Sequence, residues 1–170
     1  MKNIPTYALL DLDSISRWHM VNTTAPDTVA SHSFRVAMIA IAIQMELDPN
    51  DEEAIKDLAY HSLFHDAEEA YSGDIATHAK AKIQASGVDL EAIFGRGSDM
   101  PDYISQIIKI ADKMDALLFI DAHGVGPRAA DALTYNISKY FQFVEDTKHE
   151  SLKNAAKVVF KNIKARGEFL

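Results

Sequence analysis

Residues 29–47 read VASHSFRVAMIAIAIQMEL. Val36, Ile39, Ile41 and Ile43 could line one face of a strand, but a run of roughly twenty residues without a turn signal reads as a buried helix. Thr28 stands before it as an N-cap, and Asp48-Pro49 stops it. Working outward, Asn50 or Asp51 caps a second helix whose first turn holds Glu52 and Glu53, where they complement the helix dipole. Ile55, Leu58, Ala59 and Leu63 have helical spacing, and the pattern is expected to continue to the turn cluster Ser72-Gly73-Asp74. A third helix is expected from Ile75 to Ala85, followed by a loop punctuated by Gly87, Gly95, Gly97 and Pro101. Tyr103 to Ala122 is amphipathic, with Ile104, Ile107, Ile108, Ala111 and Leu118 on one face, and His123-Gly124-Val125-Gly126-Pro127 ends it. Two more helices are expected at Ala129 to Glu145 and Ser151 to Lys164. No βαβ unit is visible, so the expected class is all-α: one domain over residues 1–170, a compact bundle of about six or seven helices.

Composition narrows the chemistry. The 170 residues carry 17 Lys and Arg against 25 Asp and Glu, a net charge of −8, and no cysteine. Disulfides, thiolate metal sites, iron–sulfur centres and a cysteine nucleophile are therefore excluded. Broad binding to nucleic acid or an anionic membrane is disfavoured, since such binding depends on excess positive charge. The apolar run Tyr7 to Leu10 is broken by Asp11 and Asp13 and lacks a basic leader, and Val36 to Ile43 is too short to span a bilayer. The expectation is a soluble, cytoplasmic protein.

Seven histidines in a cysteine-free, acidic chain direct attention to metal ligation by imidazole and carboxylate. The densest cluster is His65-Asp66-Ala67-Glu68-Glu69, followed by Gly73-Asp74. On a continuous helix turning about 100° per residue, Glu69 lies about 40° from His65, whereas Glu68 falls roughly 160° from Asp66. That geometry selects Glu69 as the carboxylate facing whatever His65 and Asp66 hold. Further ligands must come from other helices, and His32 and Asp112 both stand on helices with long apolar faces. A His/His/Asp/Asp set suits a divalent ion with positions left open for water and a phosphate oxygen. Asp115 competes with Asp112, because periodicity places it more centrally on the apolar face; the residues alone leave the two even. A His-Asp pair by itself also reads as a hydrogen-bonded surface pair, and His32 as a histidine at the core's edge.

In order along the chain, Ser16-Arg17-Trp18, Ser31-His32-Ser33, His65-Asp66-Ala67-Glu68-Glu69 through Gly73-Asp74, and Lys109-Ile110-Ala111-Asp112 resemble the HD-domain metal-dependent phosphohydrolases. The resemblance is to the branch holding the bacterial deoxyribonucleoside 5′-monophosphatases and small phage dATP triphosphohydrolases, and covers roughly Leu10 to Leu118. It implies that His32, His65, Asp66 and Asp112 hold the main metal (Zn, Co or Mn, with additional Mg at a further position), which resolves the tie against Asp115. It implies that Glu69 is the catalytic carboxylate acting on water, and that Asp74 assists the leaving group or a second ion. Arg17 and Trp18 match the family's pair that holds phosphate and packs on the nucleoside, and the resemblance implies that Lys80 and Lys109 grip phosphates. Met20 occupies the position where a bulky apolar residue rejects purines with a 2-amino group. Departures are His61, one turn before His65, and His19, where the monophosphatases often have proline.

The leading expectation is a divalent-metal deoxynucleotide phosphohydrolase releasing deoxyadenosine and triphosphate from dATP. It would act in the cytoplasm, the host's if the chain is phage-encoded, and as a homo-oligomer without nucleic-acid or membrane partners. The runner-up is a 5′-nucleotidase acting on deoxyribonucleoside monophosphates. A non-catalytic nucleotide-sensing module and a purely structural metal-stabilised bundle are the rivals from other classes. Retention of Glu69, Asp74 and the four ligand positions disfavours the first, and Arg17-Trp18 with the nearby lysines disfavours the second.

Overall fold

A computed structural model describes residues 6–88 and 100–166. Among them are eight helices: α1 (Thr6–Asp11), α2 (Val29–Leu47), α3 (Glu52–Leu63), α4 (Glu69–Ser72), α5 (Thr77–Ala85), α6 (Asp102–His123), α7 (Pro127–Asp146) and α8 (Glu150–Ala165). The six helices expected from periodicity are present within a residue or two at most ends. The short α1 and α4 add to them, α1 burying Ala8 and packing against α4. Gly95 and Gly97 of the expected loop lie outside the described residues.

Helix α2 is the hub, packing against α3, α6 and α8. It is apolar over so much of its circumference because neighbours surround it: Val36, Ala40 and Ile43 are fully buried. They meet Leu58 of α3, Ile107, Ile110 and Met114 of α6, and Leu152 and Ala156 of α8, all fully buried. Thr28 caps α2 by accepting a hydrogen bond from Ser31 N, and Asp51 caps α3 by accepting from Ala54 N. Helix α6 runs through the core, so a polar side chain on it points either into apolar packing or into a site.

Two features differ from the expectation and shape the site. First, the second helix does not continue to Ser72. It stops at Leu63, and residues 64–68 form tight turns before α4. The Ser62 carbonyl accepts from His65, whose backbone N lies 3.4 Å away and whose Nδ1 lies 2.7 Å away. Beyond it the bonds span three residues: Ala67 N to Phe64 O, Glu69 N to Asp66 O, Ala70 N to Ala67 O. At that spacing residues three apart eclipse one another, so Glu68 is brought under His65 and Glu69 under Asp66.

Second, a two-stranded antiparallel ribbon joins β1 (Asn22–Thr23) to β2 (Gly124–Val125), pairing Thr23 with Gly124. It ties the loop after Trp18 to the end of α6. Gly124 is required there by contact: a Cβ would lie 2.6 Å from the Ile120 carbonyl oxygen and 2.8 Å from Ala129 Cβ.

Candidate metal centre and active-site cavity

His32 projects from the first turn of α2 into the core and is completely buried. Its Nδ1 lies 2.6 Å from Asp115 Oδ2. An ionised carboxylate only accepts, so Nδ1 carries the proton and Nε2 presents a lone pair. His65 is set the same way from the turn after α3, since its Nδ1 donates to the Ser62 carbonyl. The two Nε2 atoms converge, 3.2 Å apart. Asp66 Oδ2 stands 3.2 Å from His65 Nε2 and 3.6 Å from His32 Nε2, and Asp112 Oδ1 of α6 stands 3.3 Å from His32 Nε2.

These separations test whether a cation fits. Ligands about 2.1 Å from one ion are about 3.0 Å apart at right angles and about 3.4 Å apart in a tetrahedron. The His32–His65, His65–Asp66 and His32–Asp112 spacings of 3.2, 3.2 and 3.3 Å fall in that range, and the His32–Asp66 spacing of 3.6 Å lies slightly beyond it; His32, His65 and Asp66 converge as one group, which Asp112 adjoins at His32. The donor set also calls for positive charge at its centre. Burial pulls the His65 imidazole down, but Asp66 and Asp112 outweigh it and raise its pKa to about 9. Burial pushes Asp66 up, yet His65, His32 and Lys80 hold it well below the usual carboxylate range. Asp112 is likewise held low against burial, by Lys113 and the two histidines.

The donors sit at the floor of a cavity of about 730 Å³ that reaches from α5 to α7. Glu69 lines it beside them, its side chain almost fully buried. Lys80 Nζ of α5 donates to its Oε1 at 2.5 Å, while Oε2 is buried without a partner. Burial first, and then the negative charge of Asp66, raise the Glu69 carboxyl to about 7 against the pull of Lys80. A carboxylate so placed can accept a proton near neutral pH. Asp74 also lines the cavity, 3.7 Å from His19 Nδ1.

Arg17, Trp18 and Met20 form one wall. Arg17 Nη1 donates to Asp27 Oδ2 at 3.1 Å, and its Cζ lies 5.7 Å from the Trp18 ring centroid. Trp18 stacks on Phe119 of α6 (centroids 6.0 Å apart, rings 10° from parallel). Its φ of 58° is a strained conformation for a bulky residue. Met20 is half exposed at the rim. Lys109 lines the opposite wall, one helical turn before Lys113, whose Nζ donates to Asp112 Oδ2 at 2.7 Å.

Every site residue expected from the sequence other than His32, which lies beneath the floor, lines this cavity. One inference needs correction. Glu68 does not face away: it is buried and also lines the cavity, because the tight turns replace the continuous helix on which its exclusion depends. His61 packs edge-on against Tyr60 and is not among the cavity's lining residues. Sequence reasoning passes over Lys113, Arg128, Asp27 and Arg35. The available signal for the last is a lone arginine between Phe34 and Val36 in the most apolar helix, opposite a buried acid on α6.

A sequence model of the family described as 5′-deoxynucleotidase YfbR-like matches residues 6–92, just over half of the 170. The chain belongs to the YfbR-like HD phosphohydrolase family. The match ends before α6, the helix of this phosphohydrolase that carries Asp112. A dATP triphosphohydrolase of Salmonella phage PMBT28 is 32% identical over 149 residues, 81% of this chain and 77% of the relative. That of Cyanophage S-2L is 27% identical over 136 residues, 74% of this chain and 75% of the relative. In three dimensions the S-2L HD phosphohydrolase DatZ, solved bound to dA and one catalytic Zn²⁺ ion, superposes with a TM-score of 0.79. It covers 98% of this chain and 99% of its own at 22% identity, a likeness of fold. No helix among the described residues of this phosphohydrolase is long and apolar enough to cross a membrane.

Proposed function

We propose that this YfbR-like phosphohydrolase cleaves dATP to deoxyadenosine and inorganic triphosphate. The observation that carries the reading is the convergence of His32, His65 and Asp66, with Asp112 adjoining at His32, beside a buried, half-partnered Glu69 at the floor of a nucleotide-sized cavity. The phage relatives named for this reaction support it.

His32, His65, Asp66 and Asp112 would hold a divalent cation, Zn, Co or Mn, which supplies Lewis acidity at the α-phosphorus and acidifies water. Glu69 receives the proton of the attacking water on Oε2, while Lys80 fixes Oε1 and keeps the carboxylate aimed. The new bond joins the water oxygen to the α-phosphorus, and the bond from phosphorus to the 5′-oxygen breaks. Asp74 assists protonation of that oxygen or holds an additional Mg. Arg17 and Lys109 face the phosphate chain, Trp18 offers its flat face to the nucleoside, and Met20 limits the space beside the purine. Exposed apolar side chains on α2, Phe34, Met38 and Met45, support assembly as a homo-oligomer. The reading places the chain in the cytoplasm, without nucleic-acid or membrane partners.

A second reading, hydrolysis of deoxyribonucleoside 5′-monophosphates, is favoured by the matched family's description. Incubation with Mn²⁺, Co²⁺ or Zn²⁺ and each deoxynucleotide at every phosphorylation level separates the two. Triphosphate from dATP, with little from dGTP or 2-amino-dATP, supports the first; orthophosphate from monophosphates with dATP untouched selects the second.

A further inference from the structure

Arg35 is the meeting point of two buried aspartates. Its Nε donates to Asp115 Oδ1 at 2.6 Å, and Nη2 donates to Asp115 Oδ2 at 3.1 Å and to Asp27 Oδ1 at 2.9 Å. The Asp115 and Asp27 side chains are 0% and 1% exposed, so both depend on protein partners for their charge. Each aspartate bears mainly on one half of the site, although Asp115 Oδ2 also lies 3.7 Å from Arg17 Nη1. Asp115 takes the Nδ1 proton of His32 and thereby fixes the lone pair that faces the donor cluster. Asp27 takes Arg17 Nη1 at 3.1 Å, and its backbone carbonyl takes Arg17 N at 2.9 Å, anchoring the loop that carries Trp18. The Arg35 guanidinium also lies 5.3 Å from the centroid of Phe119, the ring on which Trp18 stacks.

We infer that Arg35 is a positioning residue that sets the metal ligand His32 through Asp115 and the substrate loop through Asp27 at the same time. The inference rests on the proposed reading of the donor cluster as a metal site. It depends on the fork of the guanidinium: three N–H contacts, one from Nε and two from Nη2, reach two carboxylates, which a lysine ammonium on a flexible stem cannot reproduce although the charge is kept. The two arms differ in weight: a defect at Asp115 loosens chiefly His32, a defect at Asp27 loosens Arg17, and a defect at Arg35 loosens both.

The test measures two quantities on metal-stripped and reloaded protein for Asp115→Asn, Asp27→Asn and Arg35→Lys. One is affinity for Co²⁺ and Zn²⁺ by chelator competition, with the Co²⁺ absorption spectrum as a report on geometry. The other is KM for dATP at saturating metal. Asp115→Asn should weaken metal binding about 10- to 100-fold and alter the Co²⁺ spectrum, with a smaller rise in KM than Asp27→Asn gives. Asp27→Asn should raise KM roughly tenfold or more with metal affinity unchanged. Arg35→Lys should do both. An Arg35→Lys protein that changes neither quantity, or only one, overturns the inference, as does Asp115→Asn with wild-type metal affinity. If Arg35→Lys does not fold, the opposite patterns of the two aspartate variants still decide, and identical patterns overturn it. Wild-type protein that binds no divalent ion instead sinks the metal-site reading, an outcome distinct from unchanged variants.

Discussion

Replacing the Glu69 carboxylate by the amide of glutamine keeps the volume of a fully buried side chain and removes its charge. The amide can still accept from Lys80 through one oxygen, which leaves the other arm an NH₂ group where Oε2 stands buried without a partner. That arm can donate but cannot take a proton from water. General-base assistance contributes about 10²–10⁴ to a rate, so kcat should fall by that factor, about 3–5 kcal/mol in the barrier. Metal content should stay at the wild-type level, because Glu69 contributes none of the donor atoms assigned to the cation. The assay is triphosphate release from dATP under saturating metal, with bound metal quantified on the same samples and folding checked by thermal melting. A Glu69→Gln protein that turns over at the wild-type rate with its metal retained refutes the assignment of Glu69 as base. Loss of the metal refutes it in another way, by making Glu69 a ligand.

Asp66→Ala should abolish metal binding and turnover together, because Asp66 Oδ2 stands within 3.6 Å of both imidazole lone pairs; titration with Zn²⁺ and activity on the same preparation check this. Met20→Ala should raise kcat/KM for 2-amino-dATP relative to dATP, measured as a ratio so that a general loss cancels, since Met20 stands half exposed at the cavity's rim. Gly124→Ala should lower stability by about 1–3 kcal/mol in a denaturant melt, because the added methyl meets the Ile120 carbonyl oxygen at 2.6 Å and the packed ribbon cannot yield without moving α6 or α7.

The helices are legible in the sequence from apolar period or, where the period is ambiguous as in α2, from length between start and stop signals, Thr28 and Asp48-Pro49 being the clearest. His32, His65, Asp66 and Asp112 are singled out in the sequence by the resemblance of four ordered motifs to a known family, since the residues alone leave Asp112 and Asp115 even. What is not legible depends on contacts without a local trace. Arg35 and Asp115 lie 80 residues apart in sequence and meet only because α2 packs on α6. The stop at Leu63 is hidden because residues 64–68 contain neither Gly nor Pro; a side chain, His65, captures the carbonyl that would have continued the helix. The exclusion of Glu68 fails for the same reason. Asp115, central on the apolar face of α6, reads from the sequence as a competing ligand; its actual place is one bond behind His32.

The central claim is that four side chains from three separate segments hold one divalent cation beside Glu69. Anomalous diffraction from crystals grown with Zn²⁺ tests it most directly. The account predicts a single strong peak at the cavity floor, about 2.0–2.2 Å from His32 Nε2, His65 Nε2 and one oxygen each of Asp66 and Asp112. A peak that engages Asp115 in place of Asp112, or no peak among these four residues, contradicts it.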